Sequence, residues 1–278
     1  MPSNQPDRYG VIGYPVSHSR SPYIHQLFAK QTDQDIQYDL IEVPPYILKR
    51  KIQEFMEEGG KGLNITLPHK SAVAAYVDDM SARAVTAGAV NTLVCRDSVL
   101  YGDNTDGAGL VTDLENNQGF SIRGAKILIL GAGGATRGII GPLLQAHACS
   151  IVIANRTFQK AIDLADCFKK LGTVTASEIR ALTSKNSFNL IINATSAGLK
   201  GGAWLYPPSI VNTDALCYDL SYSATPTPFM EWASRAGAAK SLMGWGMLVE
   251  QAAESFFIWR GIQPDTKQVL EQLTGNTA

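Results

Sequence analysis

KILILGAGGATRG, residues 126–138, decides the fold. Its first five residues form an apolar run of strand length, and a glycine turn follows that leads into a helix-compatible stretch. Gly131 and Gly133 allow a tight turn and a close approach of backbone to phosphate, while the next helix offers free N–H groups and a positive dipole end. The pattern is GxGGxxR, because Thr136 stands where a strict GxGxxG would place its third glycine. The alternative is a strand-to-helix turn in a sheet that binds nothing; the flanking strand and helix favour the dinucleotide reading.

Outward from this turn the alternation continues. SIVIA (150–154) is a strand followed by a helix over 158–171, and 190–193 and 216–220 supply further buried strands. That order predicts a doubly wound, Rossmann-type domain. The end of the strand 150–154 selects the cofactor. An NAD site usually places Asp or Glu there for the ribose 2′-hydroxyl, whereas this chain has Asn155, Arg156 and Thr157. An arginine with two short polar neighbours suits a 2′-phosphate, which a carboxylate would repel. Lys160, one turn further on, offers a second positive charge. NADP is therefore the expected cofactor; the other reading makes Arg156 a solvated surface residue.

The N-terminal part alternates in the same way: strands over 8–13, 36–43 and 61–65, helices from Pro22 and over 45–58, and a mostly helical stretch over 68–87. A hairpin over 90–102 then leads into a helix over 106–118. A mainly parallel sheet is expected. MLVEQAAESFFIWR (247–260) reads as a long amphipathic helix that packs back on this first part. The fold class is α/β with two domains: a mainly parallel substrate domain of residues 1–105 plus 246–278, and a Rossmann-type NADP domain of 106–245.

At 278 residues the chain has room for both domains, and 45% hydrophobic with 18% charged residues fits a globular protein. A net charge of −1 gives no footprint for nucleic acid or an anionic membrane. No apolar run reaches signal-peptide or membrane-span length, so the cytoplasm is the expected location. The four cysteines and four histidines show no metal-ligand spacing, and no metal is expected.

Three further segments carry small polar groups. GYPVSHSRSP (13–22) follows a strand and opens a helix, where open α/β sheets bind ligands. Ser21 before Pro22 reads as a helix N-cap, Ser17 and Ser19 are not explained by capping, and His18 fits a structural role as well as a functional one. In GLNITLPHK (62–70), Asn64, Thr66 and Lys70 sit at a strand end and a helix start. Lys70 is the catalytic candidate, because reducing a ketone by hydride requires a proton donor for the new alkoxide. Asp106, in GDNTDGAG (102–109), is its candidate partner. Taken singly, a surface lysine and a helix-capping aspartate explain the two residues as well. Together the segments point to a dehydrogenase of a small polyhydroxylated molecule.

Over essentially the whole chain, these segments resemble shikimate dehydrogenase. GAVNTL (88–93), NRT (155–157), INATSAG (192–198) and GMLVEQA (246–252) complete the pattern in order. The resemblance implies reversible reduction of 3-dehydroshikimate to shikimate with NADPH, on the route to aromatic amino acids, with Lys70 and Asp106 as the acid–base pair. It implies that Ser19, Ser21, Thr66, Asn91, Tyr222 and Gln251 hold the substrate along with that pair. Gly131, Gly133, Gly134 and Ala135 would face the pyrophosphate, and Asn155, Arg156, Thr157 and Lys160 the adenosine phosphate. Thr195, Leu220, Gly244, Gly246 and Met247 would lie along the rest of the cofactor. Lys160 stands where many relatives carry arginine, and lysine makes no bidentate fork. The implied partner is the small-molecule substrate alone, on a monomer or homodimer. Two competing readings remain: a quinate/shikimate enzyme of broader substrate and cofactor range, and a non-catalytic NADP sensor.

Overall fold

The computed structural model describes residues 5–183, 187–195 and 206–275. The chain divides into two compact units: the described residues through Gly109 with Val249–Gln272, and Leu110–Leu248 with the residues from Leu273. The chain passes between them inside three helices, at 109/110, 248/249 and 272/273.

The first unit carries strands β1 (Asp7–Gly13), β2 (Ile36–Glu42), β3 (Gly62–Ile65), β4 (Asp79–Met80), β5 (Thr92–Arg96) and β6 (Val99–Asp103). They form one sheet in the order β2-β1-β3-β5-β6-β4. β1 pairs in parallel with β2 and β3, and β4 with β6; β5 is antiparallel to both β3 and β6. The helices are α1 (Ser21–Gln31), α2 (Leu48–Glu57), α3 (Lys70–Val73), α4 (Ala82–Ala87) and α5 (Asp106–Thr112), which runs on into the second unit. One face of the sheet packs Ile12, Leu63, Ile65 and Leu93 against Ile52 and Phe55 of α2.

The stretch 68–87 is not the mostly helical segment expected. α3 lasts a single turn, and the chain then extends as β4 at the sheet edge. The backbone N–H of Asp78 donates to the Leu100 carbonyl and that of Ser81 to Gly102, so the ladder with β6 replaces helical bonds. Ser81 then caps α4, its hydroxyl accepting from the Ala84 N–H. Ser21 also departs from expectation. It is the first residue of α1 rather than its N-cap, and its own N–H donates to Ser19 Oγ at 3.3 Å.

The second unit holds β7 (Lys126–Leu130), α6 (Gly134–Gln145), β8 (Ser150–Ala154), α7 (Phe158–Phe168), β9 (Val174–Ser177), β10 (Leu190–Asn193), β11 (Leu216–Asp219), α8 (Pro228–Arg235) and β12 (Lys240–Met243). All of its strand pairs are parallel, in the order β12-β11-β10-β7-β8-β9. This is the doubly wound topology, with its switch point between β7 and β10. Alternate side chains of β7 serve two cores: Ile127 and Ile129 enter one cluster, Leu128 and Leu130 the other, and all four are 0% exposed. Each such burial contributes about 1.5–3 kcal/mol, which is why KILIL cannot lie at an edge. β9, α8 and β12 extend the alternation beyond what the sequence predicted.

Two last helices, α9 (Trp245–Arg260) and α10 (Thr266–Gly275), close the chain. From Val249 onward α9 belongs to the first unit. Trp259 stacks on Tyr9 with centroids 4.7 Å apart and donates its indole N–H to the Leu93 carbonyl at 2.9 Å. Arg83 binds Glu254 at 2.8 Å and clamps the two carboxylate oxygens of Asp103 at 2.7 and 2.9 Å.

Under this helix lies an aromatic nest around His25. The imidazole is 0% exposed, stacks on Tyr38 at 4.3 Å, and has no hydrogen-bond partner on either ring nitrogen. Burial lowers its pKa to about 3, opposed only weakly by nearby Asn64. Between pH 6.5 and 3 the unfolded chain therefore binds a proton that the folded one refuses, so stability held above pH 6.5 is lost on acidification. His69, buried against the Val43 carbonyl, is lowered by the same desolvation and adds in the same direction. Replacing His25 by Leu is expected to flatten the fall in stability over this range by about 1 kcal/mol per pH unit. Denaturant titrations at pH 7 and pH 4.5 check this; parallel pH slopes for variant and parent would refute it.

Candidate active site

In the first unit the polar groups gather at one end of the sheet. Lys70 opens α3 after β3, Asn91 precedes β5, and Thr105 and Asp106 follow β6. Lys70 Nζ donates to both oxygens of Asp106, at 2.8 and 2.6 Å. The two side chains are only 14% and 4% exposed, so water screens the pair poorly. Asn91 supplies a third donor, its Nδ2 lying 2.9 Å from Asp106 Oδ1. The Asn91 carbonyl oxygen in turn accepts from the Thr105 backbone N–H at 2.8 Å and the Thr92 hydroxyl at 2.8 Å, which fixes the orientation of the amide.

A second layer supports the first. Thr92 Oγ1 lies 2.8 Å and Thr105 Oγ1 3.2 Å from Ser255 Oγ on α9. Asn64 donates to Ser255 Oγ at 3.0 Å and accepts from the Tyr38 hydroxyl at 2.7 Å. Gln251, one turn before Ser255, places Oε1 3.3 Å from Asn91 Nδ2. A Cβ on Gly109 would fall 2.6 Å from the Gln251 backbone nitrogen, and this close approach of α5 to α9 brings Gln251 to the cluster. The Lys70 nitrogen is thus held against a carboxyl group that is itself locked by buried amides and hydroxyls.

Not every sequence candidate joins this network. Ser19 donates to Ser21 Oγ at 3.1 Å, Ser21 being buried and Ser19 half-buried, while Ser17 and His18 are exposed. Thr66 lies half-buried beyond β3, its methyl 2.5 Å from where a Cβ on Gly13 would stand. That contact couples the serine loop to the lysine segment. Thr105, Thr92 and Ser255 were not singled out from sequence. Ser255 had a signal, since it falls one helical turn after Gln251 on the same face.

In the second unit the glycine turn stands at the switch point. Gly131 has φ +110°, donates its N–H to the Ala154 carbonyl and accepts from Thr136 Oγ1 at 3.0 Å. Thr136 thus takes the third glycine's place as a buried tie across the turn. Gly133 is the N-cap of α6, and Gly134 and Ala135 open its first turn, where N–H groups lack helical partners. Beside it, Thr195 donates N–H and hydroxyl to Asn193 Oδ1 at 3.1 and 2.7 Å. Asn193 is fixed by buried Asp219, which also accepts from Thr227 Oγ1 at 2.6 Å and the Ser221 N–H at 3.0 Å. Burial raises the Asp219 carboxyl above the usual range, although these donors oppose it. The INATSAG segment is described only as far as Thr195.

At the end of β8, Arg156, Thr157 and Lys160 are exposed, and Asn155 donates to the Thr157 carbonyl at 2.9 Å. The 155–157 loop thus carries no carboxylate, so the donor set fits a 2′-phosphate better than a bare ribose. A Cβ on Gly244 would fall 2.6 Å from the Leu220 carbonyl oxygen, and the Gly244 N–H donates to the Ser221 carbonyl at 3.0 Å. Tyr222 packs its ring on Trp245 at 4.7 Å, and Met247 is buried in the first turn of α9.

Comparison with known proteins agrees along the chain. Residues 11–93 match the shikimate dehydrogenase substrate binding domain, 113–200 the shikimate/quinate 5-dehydrogenase model, and 244–274 the shikimate 5′-dehydrogenase C-terminal domain. The NADP(+) shikimate dehydrogenase of Aeromonas salmonicida is 50% identical over 271 residues, covering 97% of this chain and 98% of the relative. Among solved structures, an Ael1 enzyme from Pseudomonas putida shares 42% identity with a TM-score of 0.88, over 96% of this chain and 98% of its own. Shikimate 5-dehydrogenase from Thermus thermophilus, in complex with NADP(H) and shikimate, shares 31% identity with a TM-score of 0.86, over 98% of this chain and 100% of its own. Family models match along the chain and half of its residues are identical to those of such a relative over nearly the full length of both, so the chain belongs to the shikimate dehydrogenase family.

Proposed function

We propose that this chain reversibly reduces 3-dehydroshikimate to shikimate with NADPH, and that it does so as a cytoplasmic enzyme of aromatic amino acid biosynthesis. The observation that carries the proposal is the Lys70–Asp106 contact at 2.6 Å within a buried polar cluster. NADPH supplies the hydride when bound. Lys70, as an ammonium, gives its proton to the substrate oxygen as the C–H bond forms; in the oxidation direction its amine takes that proton back. Asp106 keeps Lys70 aimed, and Asn91 keeps Asp106 in place. Ser19, Ser21, Thr66, Asn91, Tyr222 and Gln251 hold the substrate's hydroxyls and carboxylate. The turn from Gly131 to Ala135 takes the pyrophosphate on the N-terminus of α6. Asn155, Arg156, Thr157 and Lys160 read the 2′-phosphate, and Thr195, Leu220, Gly244 and Met247 line the nicotinamide side.

The test is absorbance of reduced nicotinamide with shikimate and NADP, repeated with NAD and with quinate. A rise with shikimate and NADP is expected, far exceeding the rates with the other pairs. Comparable rates with quinate or NAD would replace the proposal with a broader dehydrogenase; NADPH binding without turnover would make the protein a sensor. Arg156→Ala is expected to raise KM for NADPH by about ten- to a hundredfold, the worth of one or two charge-assisted hydrogen bonds, with KM for NADH unchanged. Equal changes for both cofactors would remove Arg156 from phosphate recognition.

A further inference from the structure

Asp113 begins a single π-turn, Asp113–Asn117, that follows α5, and its side chain turns inward to be 1% exposed. Tyr218 of β11, itself fully buried, donates its hydroxyl to Asp113 Oδ2 at 2.6 Å. The same phenolic oxygen accepts the backbone N–H of Met247 at 3.2 Å. Asn117 and Gln118 donate to Asp113 Oδ1 at 3.0 and 3.2 Å. A Cβ added to Gly246 would fall 1.9 Å from Asp113 Oδ1, so the carboxylate occupies the space a side chain there would need. It lies against the first turn of α9, where the helix dipole favours a negative group.

The residues so held are those assigned to the nicotinamide. Gly244 is pinned to Leu220 and Ser221 on one side, while Gly246 and Met247 rest on Asp113 and Tyr218 on the other. We propose that Asp113 and Tyr218 are positioning residues of the reaction: a buried strut that sets the Gly244–Met247 backbone and so the placement of the nicotinamide ring for hydride transfer. This rests on the proposed function. Neither residue touches a reacting atom. Their role is to remove slack from a backbone segment whose displacement by a fraction of an ångström lengthens the hydride path.

Tyr218→Phe keeps the ring and removes both hydrogen bonds. It is expected to lower kcat at least tenfold and to raise the isotope effect on kcat with NADPH deuterated at the transferred position. The inhibition constant of adenosine 2′,5′-bisphosphate, which lacks nicotinamide, is expected to stay within twofold of the parent. Asp113→Asn is expected to show the same pattern at smaller size, threefold or more, and decides alone if Tyr218→Phe yields no folded protein. Unchanged kcat and isotope effect would overturn the strut. A parallel loss of adenosine bisphosphate affinity would overturn it too, by showing a general structural role. Failure of the proposed function is read separately, as a parent protein that does not turn over shikimate with NADP.

Discussion

Lys70→Ala is expected to lower turnover by about a hundred- to ten-thousandfold, the range spanned by loss of a positioned proton-transfer group. NADPH affinity is expected to hold, since the glycine turn and the 155–157 loop make no use of Lys70. Lys70→Arg separates charge from proton transfer. A guanidinium would keep the cation beside Asp106 but gives up no proton in this pH range, so the same loss is expected. Stopped-flow reduction of 3-dehydroshikimate, with circular dichroism to show that the variants are folded, provides the check. An arginine variant at near-parent rates would mean that Lys70 contributes only charge.

The largest stability effect is expected at Arg83. Burial works against the charge of its guanidinium, but Asp103 and Glu254 outweigh that and raise its pKa. Asp103 mirrors it: burial alone would raise the carboxyl, yet the hydrogen bonds from Arg83 and Ser81 win and hold it below the usual carboxylate range. Removing Arg83 strands a buried carboxylate at the end of β6 and frees Glu254 on α9. Arg83→Met is expected to cost about 3–5 kcal/mol, a fall in melting temperature of about ten degrees. Adding Asp103→Asn removes the stranded charge and is expected to recover part of it. Calorimetry of the single and double variants decides; a drop of under two degrees for Arg83→Met would show that water compensates the loss.

How much of this was legible in the sequence follows from what each residue must bury. KILIL and LIIN are covered on both faces, so their unbroken apolar runs announce central strands. β9 and β12, half-exposed at the two edges of the second sheet, read as loop because VTAS and KSLM carry little that an interior demands. The break within 68–87 was hidden for another reason: β4 exists through its ladder with β6, a partner some twenty residues away. In the candidate site, Lys70 and Asp106 were visible as types and Asn91 as part of a motif. Their contact depends on the topology that brings the ends of β3, β5 and β6 together. Thr105 stands among the polar residues of GDNTDG with nothing to mark it from its neighbours, and Ser255 is a single hydroxyl before Phe256 and Phe257, which sequence alone does not separate from ordinary packing. The strut from Asp113 to Tyr218 lay hidden too, because a π-turn continues a helical pattern without a mark.

The two halves of the chemistry differ in what else depends on them. Lys70, Asp106 and Asn91 are tied to one another in a buried network, so a replacement there has partners to satisfy as well as chemistry to keep. Arg156, Thr157 and Lys160 stand in solvent at the end of β8, and the structure leans on them for almost nothing. Under the proposed assignment, coenzyme preference is therefore free to change at little cost to the fold. A change or two in that loop would then move the enzyme between cellular pools of reducing power, while the transformation it performs on its substrate stays with the buried network.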